Sequence, residues 1–169
     1  GIAIGMFACV LAHGGQFVLF TFIRPALEGF ASIDMDGLAL MLLGFGLANF
    51  VGTLLAGWLM ERSLRVTLVV MPALVGLAAW GMVWLPVHNM GLMWLVALWG
   101  LAFGGVPVAW SNWVASAMPD QAEVAGGMVV AAVQSSIAAG AAVGGFMFGL
   151  GGVPMVFLTG GGVMLFAAL

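Results

Sequence analysis

The sequence predicts an all-α membrane protein, a single bundle of six transmembrane helices. Three observations predict it. Apolar residues make up 64% of the 169 and charged residues 5%, against roughly 45–50% and about 25% in an ordinary soluble domain. Mean hydropathy is +1.26, so lipid is the solvent for most of this surface. The apolar runs reach about 20 residues between short polar breaks, which is the length a helix needs to cross the hydrocarbon core. They are too long for strands and do not alternate, so helices are expected rather than a barrel. Three Arg, no Lys and six acids give a formal net charge of -3, with no basic face for nucleic acid. Cys9 is the only cysteine, which excludes an intrachain disulfide and a cysteine metal cluster.

The breaks divide the chain in order. Arg24-Pro25 through Asp36-Gly37 ends the first run, and Glu61-Arg62-Ser63-Leu64-Arg65 ends the second. Pro86-Val87-His88-Asn89 and Met118 to Glu123 follow, and Gly149 to Pro154 is the weakest. Spans are expected near 1–24, 38–60, 66–85, 91–113, 124–149 and 154–169. Asp120 with Glu123 has the form of a capping box for the fifth span. The chain opens inside one apolar run and stops inside another, which reads as a piece cut at both ends, and no charged n-region marks a signal peptide. Arg62 and Arg65 place their loop on the cytoplasmic side, with Arg24 arguing the other way. On that reading the first span runs outward and both chain ends are cytoplasmic.

The first span carries the densest polar set. At about 100° per residue, His13, Gln16, Phe20 and Arg24 fall within an arc of about 80°. Such a stripe is costly against lipid and is expected to face protein or a water-filled cavity. As a substrate face, His13 and Gln16 would hydrogen-bond, Phe20 would stack and Arg24 would sit at the outer mouth; as packing, the same residues bond between helices while Arg24 snorkels. Gln134, near mid-span, needs a partner from substrate or from a helix. Trp110, just after Pro107, is a candidate aromatic wall. Gly140, Gly144 and Gly145 form a small-residue packing seam, and Asn49 with Thr53 offers packing hydrogen bonds. In the loop motif, Gly57 would admit a close helix, and Glu61 would pair with Arg62 and Arg65. Trp84 and Trp113 suit an interfacial belt. Enzyme signatures are missing: there is no His-Glu-x-x-His, no Gly-x-Ser-x-Gly, and no Walker or dinucleotide loop, so no metal, cofactor or ATP is expected. His13 with Ser135 or Ser136 leaves an intramembrane serine protease as a remote alternative.

Six spans, with Gly57-x-x-x-Glu61-Arg62-x-x-Arg65 between the second and third, resemble the C-terminal half of a major facilitator superfamily transporter. Leu64 stands where that loop usually has a Gly. Further segments are similar to the superfamily's drug:proton antiporter branch, and within it to purine ribonucleoside exporters. They are His13-x-Gly15-Gln16-Phe17 with Phe20-Thr21-x-Ile23-Arg24-Pro25, Phe45-Gly46-x-Ala48-x-Phe50-x-Gly52-Thr53, Trp99-Gly100-Leu101, Val106-Pro107-Val108-x-Trp110-Ser111-x-Trp113 and Asp120-Gln121-Ala122-Glu123-x-Ala125-Gly126. The resemblance implies two inverted three-helix repeats, a missing N-terminal six-helix half, and a bacterial inner-membrane exporter of nucleoside-like molecules working against proton entry. It implies that the first and fourth spans line the cavity. A sugar or multidrug exporter of the same fold is the alternative, and a six-helix channel would need a filter motif that is absent.

Overall fold

The structure, a computed structural model, describes residues 1–30, 33–86, 89–119 and 122–169, with side chains throughout except at 122–125. Asp120 of the expected capping box, like Val87 and His88 of the third break, lies outside the described residues, as does the side chain of Glu123. Among the described residues five helices follow one another: α1 (Ile2–Phe20), α2 (Ile23–Phe30), α3 (Met35–Trp84), α4 (Asn89–Ala117) and α5 (Ala122–Ala167). Four of them, all but α2, are long and apolar enough to cross a membrane.

Two of these helices are folded back on themselves. Straight, the 50 residues of α3 would run roughly 75 Å at 1.5 Å per residue, more than twice the hydrocarbon thickness. Ser63 interrupts the helix with extended dihedrals (φ −165°, ψ 107°). Its hydroxyl accepts from the Val66 N–H at 3.3 Å, so Ser63 caps the second limb. A Cβ on Gly105 of α4 would meet Ala56 of one limb and Met71 of the other at 3.2 Å, so both limbs lie along α4. The first limb runs parallel to α4, with Phe45 at Gly100 and Ala56 at Gly105; the second runs antiparallel, with Met71 at Gly105 and Gly81 at Leu95. In α5 the break is Gly151-Gly152, where Gly152 has φ +65° and ψ −157°, a conformation open to glycine alone. Pro154 then sits in the first turn of the second limb, where a missing N–H does no harm.

Close approach at glycine sets the packing. Gly52 lies against the Leu101 backbone, Gly104 against the Asn49 backbone and Gly140 against Gly14. Asn49 Nδ2 donates to the Gly100 carbonyl at 3.2 Å and Thr53 Oγ1 to the Gly104 carbonyl at 3.0 Å, which bonds the first limb of α3 to α4. The first limb of α5 runs parallel to α1, with Gly140 at Gly14 and Gly144 at Val18 and Phe22; its second limb returns antiparallel, with Gly160 at Leu19 and Met164 at Gly15. α1 itself is antiparallel to α4, since Gln16 meets Trp99 while Gly5 meets Trp113. The core gathers where these elements cross, around the buried Leu19, Val96, Trp99, Phe157 and Met164.

Four expectations are corrected. Gly145 is exposed and nothing lies within 4 Å of a Cβ built there, so the seam is Gly140 and Gly144 alone. Gly57 likewise has nothing within 4 Å and admits no close helix. Glu61 forms no ion pair with Arg62 or Arg65; Arg62 instead lies 4.1 Å over the ring of Trp58 on its own helix. Trp84 is exposed as expected at a helix end, but Trp113 turns inward, onto Gly5 and 5.5 Å from Trp110.

Candidate binding clefts

The residues of the polar stripe are divided by a break in the helix. Phe20 ends α1, a turn follows at Thr21 and Phe22, and Arg24 belongs to α2. There it pairs with Glu28 at 2.9 Å, four residues on, with both side chains largely exposed. Arg24 is therefore not brought to the stripe, because the arc argument holds only while the helix is continuous.

His13 and Gln16 remain on α1 and are buried, at 6% and 1% exposure. His13 Nδ1 lies 2.9 Å from the Cys9 carbonyl oxygen of the preceding turn. A carbonyl only accepts, so Nδ1 carries a proton and donates it there. Gln16 Oε1 accepts from the indole N–H of Trp99 at 2.8 Å. The stripe is thus held by protein, as the packing reading expects, yet both residues also line open space.

Two clefts meet α1. The first, about 270 Å³, lies between α1, α4 and the first limb of α5, lined by Cys9, His13, Pro107, Trp110, Ser111 and Gln134 among others. Three of the residues singled out by sequence, His13, Trp110 and Gln134, come together here. Trp110 is 4% exposed, and its indole N–H has no partner, alone in this among the buried polar side-chain atoms of the described residues. The Gln134 side chain is exposed at the rim. The second cleft, about 220 Å³, lies between α1, the first limb of α3 and α4. Gln16, Phe17, Phe20, Phe45, Asn49 and Phe103 line it. Phe20 is 38% exposed, with its ring centroid 5.6 Å from Phe45 and 6.5 Å from Trp99. Sequence reasoning marked Trp99 only as part of the segment Trp99-Gly100-Leu101, with no site role, and favoured packing for Asn49; the signal for Asn49 was its amide one turn before Thr53.

Ser135 and Ser136 donate to the carbonyls of Ala131 and Val133 on their own helix, at 2.8 and 2.7 Å. Neither bonds His13, so among the described residues no serine–histidine pair is assembled for nucleophilic attack.

The chain matches no family model, and no solved structure matches it. Similar curated proteins carry the name purine ribonucleoside efflux pump NepI. The chain is 41% identical over 170 residues to the one from Salmonella paratyphi B. It is 40% identical over 169 residues to that of Salmonella typhimurium, and 40% over 170 residues to that of Salmonella enteritidis PT4. Each match takes in 100% of this chain and 43% of the relative. The chain is thus similar along its whole length to proteins named as efflux pumps, and it spans less than half the length of those relatives.

Proposed function

We propose that this chain is the C-terminal half of a secondary exporter of the major facilitator superfamily, and that the whole transporter moves purine ribonucleosides out of the cell in exchange for protons. The observation that carries the reading is the likeness of 40–41% over the full chain to relatives named as purine ribonucleoside efflux pumps. On this reading the limbs of α3 and α5, with α1 and α4, are six crossings of the inner membrane in two inverted three-helix repeats. Their alternating directions support that count. Arg62 and Arg65 lie on the cytoplasmic side. An N-terminal six-helix half covers the two clefts, and substrate sits between the halves near mid-membrane. His13, Trp110 and Gln134 line one part of that cavity and Gln16 with Phe20 another, while Arg24 stands outside it, paired to Glu28 near the external mouth.

The chemistry of a nucleoside fits these walls. It presents a flat ring with amide-like edges and a set of ribose hydroxyls. Aromatic side chains cover the ring, and the polar groups, few and fixed, meet the edges and hydroxyls. Export against a gradient needs an energy source, and no nucleotide-binding loop is present in this sequence, so proton entry is the coupling proposed. The test is uptake of labelled inosine and adenosine into inside-out membrane vesicles bearing the full-length protein, with and without an imposed pH gradient. Gradient-driven accumulation is expected. Accumulation of sugars or cationic drugs but not nucleosides would overturn the substrate assignment. Nucleoside accumulation indifferent to a protonophore would overturn the coupling.

A further inference from the structure

The second cleft holds two side-chain amides, and the partners of both leave no freedom in how they are oriented. An amide's oxygen and nitrogen ends are interchangeable in shape, so its orientation is set by the hydrogen bonds it makes. Trp99 Nε1 is a donor only, and it meets Gln16 at 2.8 Å. The end of Gln16 facing Trp99 must therefore be the oxygen. Its amino group is then directed elsewhere, and among the described residues no acceptor meets it. It is also not among the fully buried polar atoms left unpaired, so it keeps a small exposure, on a residue that lines the cleft. Asn49 is fixed in the opposite sense. The Gly100 carbonyl only accepts, and it meets Asn49 at 3.2 Å. That end must be the amino group, which leaves the Asn49 oxygen a free acceptor, among the described residues, on a residue that lines the same cleft. Trp99 and Gly100 are consecutive residues of α4, so one point on that helix sets both amides.

We propose that this cleft is the base-recognition subsite of the nucleoside exporter inferred above, on which reading it rests. Phe17, Phe20, Phe45 and Phe103 enclose a flat ring, the Gln16 amino group donates to a ring acceptor, and the Asn49 oxygen accepts from a neighbouring ring N–H or amino group. The ligand class is a planar heterocycle with a hydrogen-bond acceptor adjacent to a donor. Trp99 is a positioning residue: it touches no ligand and acts by holding the Gln16 oxygen away from the cleft.

The test is uptake kinetics in vesicles bearing the full-length protein, normalised to membrane abundance. Three probes are compared: inosine, whose ring carries an acceptor oxygen beside an N–H; 1-methylinosine, which lacks that N–H; and purine riboside, which lacks both groups without added bulk. Wild type is expected to show KM values about tenfold higher for both analogues than for inosine. Gln16→Met keeps the side chain's length but has no donor for the ligand, and is expected to raise KM for inosine about tenfold with little change for purine riboside. Trp99→Phe frees the amide to turn over, and is expected to narrow the inosine-to-purine-riboside ratio while kcat holds. Wild type carrying all three nucleosides equally would overturn the subsite while leaving the proposed function standing. So would variants that leave the KM ratio unmoved. Wild type carrying no purine nucleoside would overturn the proposed function and the subsite together.

Discussion

Two tryptophans of α4 make a controlled comparison. Trp99 donates its N–H to Gln16, whereas the Trp110 N–H is buried without a partner. A hydrogen bond matters most through the partner left behind when it is removed: an orphaned buried acceptor costs about 1–3 kcal/mol. Trp99→Phe is therefore expected to destabilise the protein by about 1–2 kcal/mol, and Trp110→Phe to leave it as stable or slightly more so. Thermal unfolding of the detergent-solubilised protein checks this, and equal losses from both would contradict it. At the first cleft, His13→Ala is expected to lower nucleoside export per molecule by roughly tenfold, in line with one lost polar contact, with membrane abundance nearly unchanged; a parallel fall in both would leave His13 a packing residue. At this scale the sequence was partly legible. Helical periodicity identified His13, Gln16 and Phe20 as one face, because spacing is a local property. Trp99 stood out only within the segment Trp99-Gly100-Leu101, and its bond to Gln16 was invisible because it reaches across 83 residues and nothing near it marks the partnership. Arg24 was misplaced because the turn at Thr21 and Phe22 contains neither glycine nor proline to announce it.

Helices carry the next level of argument. The breaks at Ser63 and at Gly151-Gly152 were legible, since a capping serine among charges and a pair of glycines before Pro154 are both recognised stop signals. The seam was legible only to within one residue. Gly140 and Gly144 lie about 40° apart around α5, while Gly145 is a further 100° on, facing away from α1. This difference makes a paired prediction. Gly144→Leu would drive a side chain into Val18 and Phe22, the latter 3.0 Å from a Cβ at that position. Overpacking of this kind costs roughly 1–3 kcal/mol or more, and membrane yield should fall. Gly145→Leu adds an apolar group where nothing lies within 4 Å, and should accumulate like wild type. Immunoblots of membrane fractions decide; a shared loss would mean the whole face, not one ridge, is packed. The Glu61, Arg62 and Arg65 motif was legible as a loop signature but not as contacts, because exposed charges on a helix end have many competing partners, including the ring of Trp58.

At the scale of the whole molecule, the two fold-backs make a definite topological claim. If the limbs of α3 and α5 are separate crossings, Ser63 and Asn89 lie on opposite faces of the membrane. In a Cys9→Ala background, which removes the chain's only cysteine, Ser63→Cys should react with an impermeant maleimide only from the cytoplasmic side and Asn89→Cys only from outside. Labelling of both from one side would refute the six-crossing arrangement. The all-helical, lipid-facing character was legible because hydropathy is additive over long windows, while the order in which helices meet was not, being a property of the assembled bundle. That order bears on how the protein is made. α1 finds Gln16's partner only when Trp99 has been synthesised, 83 residues later. At ribosomal rates of about 5–20 residues per second that is a wait of roughly 4–17 s. Its neighbour at Gly140 arrives later still. On the proposed reading, His13 meets the Cys9 carbonyl within α1 itself, but the Gln16 amide of a newly inserted α1 is held in the bilayer with no native partner throughout that interval. The insertion machinery, or an earlier-made helix of the full transporter, therefore has to shelter it until translation catches up.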